Sequence, residues 1–252
     1  MTTASDDRSN VRGVGRAVLD ELLVLVLAGI PTGVLVAGIG SRIAMLILRL
    51  TSDPRINGVQ SDDDFTIGRF TLGGTYNLLV IGAFVGIIGA AAYQWVRPWL
   101  IGPRWFRYVT VGLAAGAVVG SMLVHSDGID FRALTPTWLA IALFVALPFL
   151  FAVSIACVVD RLDRPDSFVR RGRPRWIAAG VCVVLFPPTI VLLVASALIL
   201  IVWVALRELW FERGVEGTGV AVRTTVRVVW LGVAVLGLVA LVNDIREIAA
   251  VT

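Results

Sequence analysis

Long apolar runs separated by short polar loops dominate the chain. A helix needs about 20 mainly apolar residues to cross the hydrocarbon core of a bilayer, and several runs reach that length. The pattern therefore predicts an all-α integral membrane protein, a polytopic bundle of about six transmembrane helices. The predicted spans cover residues 18–50, 76–96, 108–124, 138–159, 176–209 and 220–242. They belong to one transmembrane domain over residues 18–245, between a cytoplasmic tail over 1–17 and a C-terminal tail over 246–252.

The segment over residues 176–209 allows two interpretations, because Pro187 and Pro188 interrupt it and proline kinks or ends a helix. In the first interpretation, the segment is a single kinked span. In the second, residues 176–186 form a half-helix that enters the membrane and turns back, and a full helix follows from Pro187. Two complete spans would need about 40 residues, which is more than the segment has. We favour the single kinked span, which gives six crossings.

We expect an integral protein of the bacterial plasma (inner) membrane. The arginines predict that its N-terminus lies in the cytoplasm. Cytoplasmic loops carry an excess of basic residues, and the loop over residues 160–175 holds six arginines. With six spans, 13 of the 22 arginines lie inside, whereas a re-entrant segment raises that number to 16. The arginine count thus favours the re-entrant form, while length and simplicity favour one kinked helix.

The composition agrees with a membrane protein and limits its chemistry. Hydrophobic residues make up 58% of the 252 residues, and the mean hydropathy is +0.88. All 22 basic residues are arginine, so no lysine is present to form a Schiff base. The net charge of +4 suits contact with anionic lipid headgroups, and we expect no nucleic acid partner. Cys157 and Cys182 lie in apolar runs, where they are typical of small core residues and not of a disulfide framework.

Glycines recur at four-residue spacing in three of the predicted spans, which places them on one face of each helix. Such faces let two backbones approach closely in lipid, where no hydrophobic effect draws helices together. We predict that spans two and three form a tight hairpin and that span one packs against them. A pore or substrate path lined by small residues is the alternative. The glycines concerned are Gly29, Gly33, Gly82, Gly86, Gly112, Gly116 and Gly120.

Two loops on the predicted outer side, over residues 61–77 and 125–131, carry most of the candidate chemistry. Oxygen-rich clusters can hold a hard cation, and a histidine beside an aspartate can titrate near neutral pH. We favour solvated turns, in which the Asp and Gly residues cap helices; a structural ion-pair cluster and a functional ion, proton or ligand site are the alternatives. Neither loop has the spacing of an EF-hand, so we predict no metal site. The candidates for a ligand site or an ion pair are Arg42, Arg69, Asp62, Asp63, Asp64, His125, Asp127 and Asp130.

Arg42 lies within the first apolar run. An arginine inside a membrane helix is costly unless it pairs with an acid or its side chain reaches the headgroups. We expect the side chain to extend to the outer headgroups. A buried pair with an outer-loop aspartate, Asp64 or Asp127, is the alternative.

The motifs of familiar enzyme classes are missing from the sequence. It contains no HExxH, Walker, CxxC or Gly-x-Ser-x-Gly pattern. With one histidine and no lysine, acid–base catalysis would depend on carboxylates alone. We therefore expect a protein that is not an enzyme and that uses no cofactor.

Three segments carry a resemblance to known proteins: GIGSRIAM (38–45), DDDFTIGRFTLGGTYNLL (62–79) and HSDGIDFRALTPTWLAIALFVALP (125–148). Between residues 38 and 161, the chain resembles a group of multi-pass membrane proteins of GC-rich bacteria to which no reaction is assigned. The resemblance covers about half of the chain and implies a membrane location and a shared architecture of the outer loops. It implies no catalytic residue.

These features together predict a non-enzymatic subunit that assists or scaffolds a larger cell-envelope complex, such as a transporter. Its partners would be the lipid bilayer and other membrane protein subunits. The alternative is a small stand-alone transporter or channel that uses Arg42 and the outer acidic residues. Proline-broken helices often line transport sites, and prolines interrupt three of the apolar runs, at Pro31, Pro148 and Pro187–Pro188.

Overall fold

The computed structural model describes residues 15, 18–52, 71–124, 136–167, 169, 174–212 and 218–251. These residues form seven helices, which are α1 (Val18–Thr51), α2 (Leu72–Val96), α3 (Arg104–Leu123), α4 (Thr137–Leu162), α5 (Pro174–Leu185), α6 (Thr189–Glu212) and α7 (Thr218–Val251). A single 3₁₀ turn, Arg97–Trp99, continues α2. No strand occurs within the described ranges, so the predicted all-α class is confirmed there.

Five helices of the described chain are long and apolar enough to cross a membrane. They are Val18–Thr51, Leu72–Trp99, Arg104–Leu123, Thr137–Leu162 and Arg227–Ala249. The number is one below the six predicted, because the segment predicted as one kinked span is divided into α5 and α6. Helix α5, Pro174–Leu185, has 12 residues and is shorter than a full span, whereas α6, Thr189–Glu212, has 24 residues.

The first apolar run forms one continuous helix although it contains Pro31. Two π-helical segments, Leu25–Gly29 and Gly33–Ile39, flank the single α-helical turn that holds this proline. A proline lacks the N–H that an α-helix needs, and widened turns re-route the hydrogen bonds around it. The helix therefore passes through Pro31 and ends only at Thr51.

The helices share two ends, which we call proximal, where α1 begins, and distal, where α1 ends. Helix α2 runs antiparallel to α1, because Gly29 lies against Gly86 while Gly38 lies against Leu79. Helix α4 runs parallel to α2, as the Arg97–Asp163 ion pair at their last turns requires. Helix α3 runs antiparallel to α4, so it begins at the proximal end.

The glycines of α3 face α4 and not α2. A Cβ placed on Gly112 would lie 2.7 Å from Val153 Cγ2, and one on Gly116 would lie 3.3 Å from the carbonyl oxygen of Val145. The predicted tight hairpin of spans two and three is therefore wrong. Although a short loop connects α2 to α3, the latter packs mainly on α4 and α7. Four-residue spacing defines a smooth face but does not select the helix that covers it.

Helices α5 and α6 form a splayed hairpin on the other side of the α1–α2 pair. Helix α5 starts at the proximal end, where Arg175 Nη1 donates to Asp20 Oδ1 at 3.0 Å. It ends beside Tyr76, one turn into α2 from the distal end. Helix α6 then packs along α2, and Leu200 contacts the core cluster formed by α1, α2 and α4. Because that cluster lies between Tyr76 and the proximal end, α6 runs back toward the proximal end.

A hydrogen bond and a ring contact hold the tip of this hairpin. Pro187 and Pro188 have no N–H groups for the carbonyls of the preceding turn. The Tyr76 hydroxyl donates to the carbonyl oxygen of Leu185 at 3.2 Å, and its ring stacks on Phe186 with centroids 6.4 Å apart. The buried hydroxyl of Thr189 donates to the carbonyl oxygen of Phe186 at 2.7 Å. The carbonyls of Leu185 and Phe186, next to the break, thus have donors, as an apolar surrounding demands.

Helix α7 lies at the edge of the bundle and runs parallel to α3. In the first third of the helix, Arg227 Nε donates to the carbonyl oxygen of Trp99 at 3.1 Å, at the proximal end. Farther along, Gly237 lies against Val118, and Leu241 and Ile248 join a distal core cluster. Since α4 ends and α7 begins at the proximal end, the α5–α6 hairpin starts and finishes on one side of the bundle.

Candidate functional site

Most of the candidate residues that the sequence placed in the outer loops lie outside the described residues. They are Asp62, Asp63, Asp64, Arg69, His125, Asp127 and Asp130. The exception is Arg42, which lies on α1 just beyond the second π-helical segment. Its side chain is half-buried and its Nε is enclosed by the protein. The predicted clustering of Arg42 with outer aspartates stays a prediction.

The structure brings together Gly29 and Gly33 of α1 with Gly82 and Gly86 of α2. A Cβ placed on Gly29 would lie 2.8 Å from the carbonyl oxygen of Gly86, and one on Gly82 would lie 2.7 Å from that of Gly33. A Cβ on Gly86 would collide with the carbonyl oxygen of Gly29. The two backbones are thus in direct contact, which only glycine permits. This glycine crossing fixes α1 against α2 near the middle of the membrane-spanning region.

A cluster of polar side chains at the proximal end is the second notable feature. Asp160, in the last turns of α4, accepts a hydrogen bond from the Tyr108 hydroxyl at 3.2 Å. Arg107 Nη2 lies 4.0 Å from the same carboxylate oxygen, and the hydroxyl of Tyr93 is buried beside it. The Asp160 side chain retains only 11% of its exposure. This Asp160 cluster therefore joins α2, α3 and α4 through one carboxylate.

The charge of Asp160 also suits its position beside the start of α3. The first turn of α3 contains Arg104 and no acidic residue, and Arg107 follows directly. A helix N-terminus carries partial positive charge, so these arginines need a neighbouring anion. Asp160 supplies it from α4. A carboxylate that accepts a hydrogen bond from Tyr108 and lies beside Arg107 acts as a clamp between the ends of α3 and α4.

Two further ion pairs close the proximal end. Arg97, just after α2, lies 2.6 Å from Asp163 of the segment that follows α4. Arg175 of α5 binds both the carboxylate of Asp20 and the carbonyl oxygen of Val169, each at 3.0 Å. The first pair therefore joins the end of α2 to the segment after α4, and the second joins α5 to the start of α1. The three ion pairs, Arg97–Asp163, Arg107–Asp160 and Arg175–Asp20, lie at helix ends and do not follow a path through the bundle.

The proximal residues are suited to structural support or to carrying a proton between hydroxyls and a carboxylate. No group of three or more His, Cys, Asp or Glu side chains with the geometry of a metal site occurs among the described residues. Cys157, one turn before Asp160, is exposed and has a free thiol. The geometry therefore supports helix clamping more directly than covalent chemistry.

Sequence reasoning missed this cluster because it counted the loop after α4 only for its arginines. Two signals were present. Asp160 is an acidic residue at the end of a long apolar run, which marks a costly charge near the membrane. The chain has only three tyrosines, and their hydroxyls all lie at helix contacts, at Tyr76, Tyr93 and Tyr108.

Comparison of the chain with family models, with curated proteins and with solved structures found no match. The resemblance of residues 38–161 to multi-pass proteins of GC-rich bacteria therefore stays a prediction. Any assignment of function depends on the geometry of the chain itself.

Proposed function

We propose that the chain is a non-enzymatic integral protein of the bacterial inner membrane that supports a larger cell-envelope complex, such as a transporter, as an accessory or scaffold subunit. The glycine crossing carries this proposal. Backbone contact between Gly29 and Gly86, and between Gly33 and Gly82, leaves no room for a substrate between α1 and α2. A close backbone crossing with ion pairs between the helix ends suits a scaffold subunit.

The topology that goes with this proposal has the N-terminus in the cytoplasm, five crossings and a re-entrant α5–α6 hairpin. The internal geometry supports it, because Arg175 and Arg227 both lie at the proximal end although the hairpin separates them. The arginine distribution supports it independently, since 16 of 22 arginines then lie inside. The C-terminus is placed on the outer side, opposite the N-terminus.

A second candidate is a small transporter, which the irregular winding of α1 favours. Two π-helical segments, Leu25–Gly29 and Gly33–Ile39, precede Arg42. Segments of this kind are rare and occur frequently at functional sites. In this alternative, Arg42 and the outer acidic residues form the substrate or ion site. We rank it second because the π-helical turns also accommodate Pro31 and the glycine crossing.

Purification of the tagged chain from its native membrane in a mild detergent tests the proposed role. We expect other membrane proteins to co-purify in fixed stoichiometry, as measured by mass spectrometry and by the size of the particle. A tagged membrane protein of unrelated fold, expressed at the same level, is the control for nonspecific carry-over. A monodisperse particle that contains this chain alone would contradict the proposal. Transport assays comparing Arg42→Gln with the unaltered chain would then examine the second candidate.

A further inference from the structure

The proximal end contains a cavity of about 150 Å³ between the 3₁₀ turn after α2, the start of α3 and the part of α7 around Arg227 and Trp230. Its walls are mainly apolar and aromatic, with the rings of Trp99, Phe106 and Trp230 among them. The cavity is partly open, and its apolar walls suit small apolar groups. Trp residues are also enriched where helices meet the headgroup region of a bilayer. The cavity thus lies at a membrane–water interface and suits an apolar occupant.

Two arginines line the same cavity. Arg227 uses its Nε to bind the carbonyl oxygen of Trp99, which fixes the guanidinium at the rim and leaves its terminal nitrogens as donors. No acidic side chain of the described chain pairs with Arg227. Arg107 reaches Asp160 only at 4.0 Å, and its buried Nε donates to no acceptor among the described residues. Arg107 therefore shares its charge with Asp160, whereas the charge of Arg227 is not balanced by an acidic side chain of the described residues.

We propose that this cavity binds one anionic phospholipid, with the phosphate at Arg227 and the first part of an acyl chain between Trp99 and Trp230. Basic sites between transmembrane helices at the proximal face have the chemistry that recognises such headgroups. Guanidinium groups bind phosphate through paired N–H donors. An apolar cavity beside them adds the acyl contact that free phosphate lacks.

This arrangement would give the lipid a structural role. Helix α7 lies at the edge of the bundle and packs chiefly on α3. A lipid bound between the 3₁₀ turn, α3 and α7 would extend that contact at the proximal end. The inference goes beyond the proposed scaffold function and does not depend on which leaflet faces the cytoplasm.

Native mass spectrometry of the purified full-length chain, titrated with phosphatidylglycerol or phosphatidylcholine in a neutral detergent, tests this site. We expect phosphatidylglycerol to bind about tenfold more tightly than phosphatidylcholine, as for one charge-assisted contact. Arg227→Gln should remove that preference. Arg246→Gln, which makes the same change near the distal end of α7, should leave it intact. Thr110→Phe should weaken phosphatidylglycerol binding with every arginine retained, because it fills part of the cavity.

Equal binding of both lipids by the unaltered chain would overturn the proposal. So would equal phosphatidylglycerol binding by the Arg227→Gln and Arg246→Gln variants. Displacement of phosphatidylglycerol by inorganic phosphate, together with no effect of Thr110→Phe, would assign Arg227 to a free anion and not to a lipid. A thermal unfolding midpoint measured for each variant shows whether the fold is retained. If Arg227→Gln does not fold, Thr110→Phe decides the outcome alone.

Discussion

Replacement of Gly86 by leucine is expected to prevent the chain from accumulating as a folded membrane protein. A Cβ at this position collides with the carbonyl oxygen of Gly29, so the two backbones must separate. Separation removes the contacts along the glycine crossing and also shifts Ile87, which is almost completely buried. Overpacking of a close-packed site costs about 1–3 kcal/mol when side chains can adjust, and backbone contact puts this variant at or above the upper limit.

The chain supplies matched controls for this experiment. Gly232 on α7 and Gly180 on α5 have no atom within 4 Å of an added Cβ, so leucine fits at either position. The amount of monodisperse protein in detergent and the midpoint of thermal unfolding should fall for Gly86→Leu and stay close to the unaltered values for Gly232→Leu. Similar behaviour of the two variants would mean that α1 and α2 do not touch at this crossing.

Removal of the Asp160 carboxylate is expected to give the second largest loss of stability. Asp160→Ala leaves the Arg107 guanidinium without its neighbouring anion and the Tyr108 hydroxyl without its acceptor. Breaking a buried ion pair by removing one partner costs about 3–5 kcal/mol. Because the Arg107 side chain keeps 24% of its exposure, water compensates in part, and we expect a decrease of about 2 kcal/mol in the free energy of unfolding.

Two further variants separate charge from hydrogen bonding at this position. Asp160→Asn keeps an acceptor for Tyr108 but removes the negative charge, so its loss of stability should lie between those of Asp160→Ala and the unaltered chain. Asp166→Asn makes the same change at an exposed position in the following loop and should have little effect. Unfolding in mixed micelles, followed by circular dichroism, measures all four proteins. Equal stability of Asp160→Ala and Asp166→Asn would show that the Asp160 carboxylate does not stabilise the contact between α3 and α4.

The sequence predicted helix positions well, because the bilayer imposes a minimum apolar length that is visible in the residues themselves. Each of the first four predicted spans lies within one observed helix, with one exception of a single residue. The third predicted span ends at residue 124, and α3 ends at Leu123. The glycine spacing also identified residues that make close contacts. The pairing of helices was not predictable, because Gly112 and Gly116 fit any smooth face equally well. Only the bulky side chains of α4, such as Phe149, decide it.

The segment around Pro187 shows where the sequence was ambiguous. Proline removes hydrogen bonds but does not determine the angle at which the next helix leaves. Here the direction is set by Tyr76, which binds the carbonyl oxygen of Leu185 and stacks on Phe186. Tyr76 and Leu185 are 109 residues apart in the chain. No local pattern encodes such a contact.

The Asp160 cluster was unpredictable for a related reason. Its polar groups come from three helices, and each helix contributes only one or two of them. A search for local motifs favours loops with many acidic residues, such as the one at 61–64. A dispersed cluster is visible only when helix directions are known. The parallel course of α2 and α4 brings Tyr93 and Asp160 to the same end.

In the proposed topology, the α5–α6 hairpin returns to the side of the membrane from which it enters. Labelling of a single cysteine in intact cells tests this most directly, in a chain in which Cys157 and Cys182 are replaced by alanine and Glu216 by cysteine. We predict that a membrane-impermeant maleimide labels position 216 only after the cells are permeabilised, whereas a cysteine in place of Thr252 is labelled without permeabilisation. Labelling of position 216 in intact cells would contradict the re-entrant hairpin and restore a crossing between α4 and α7.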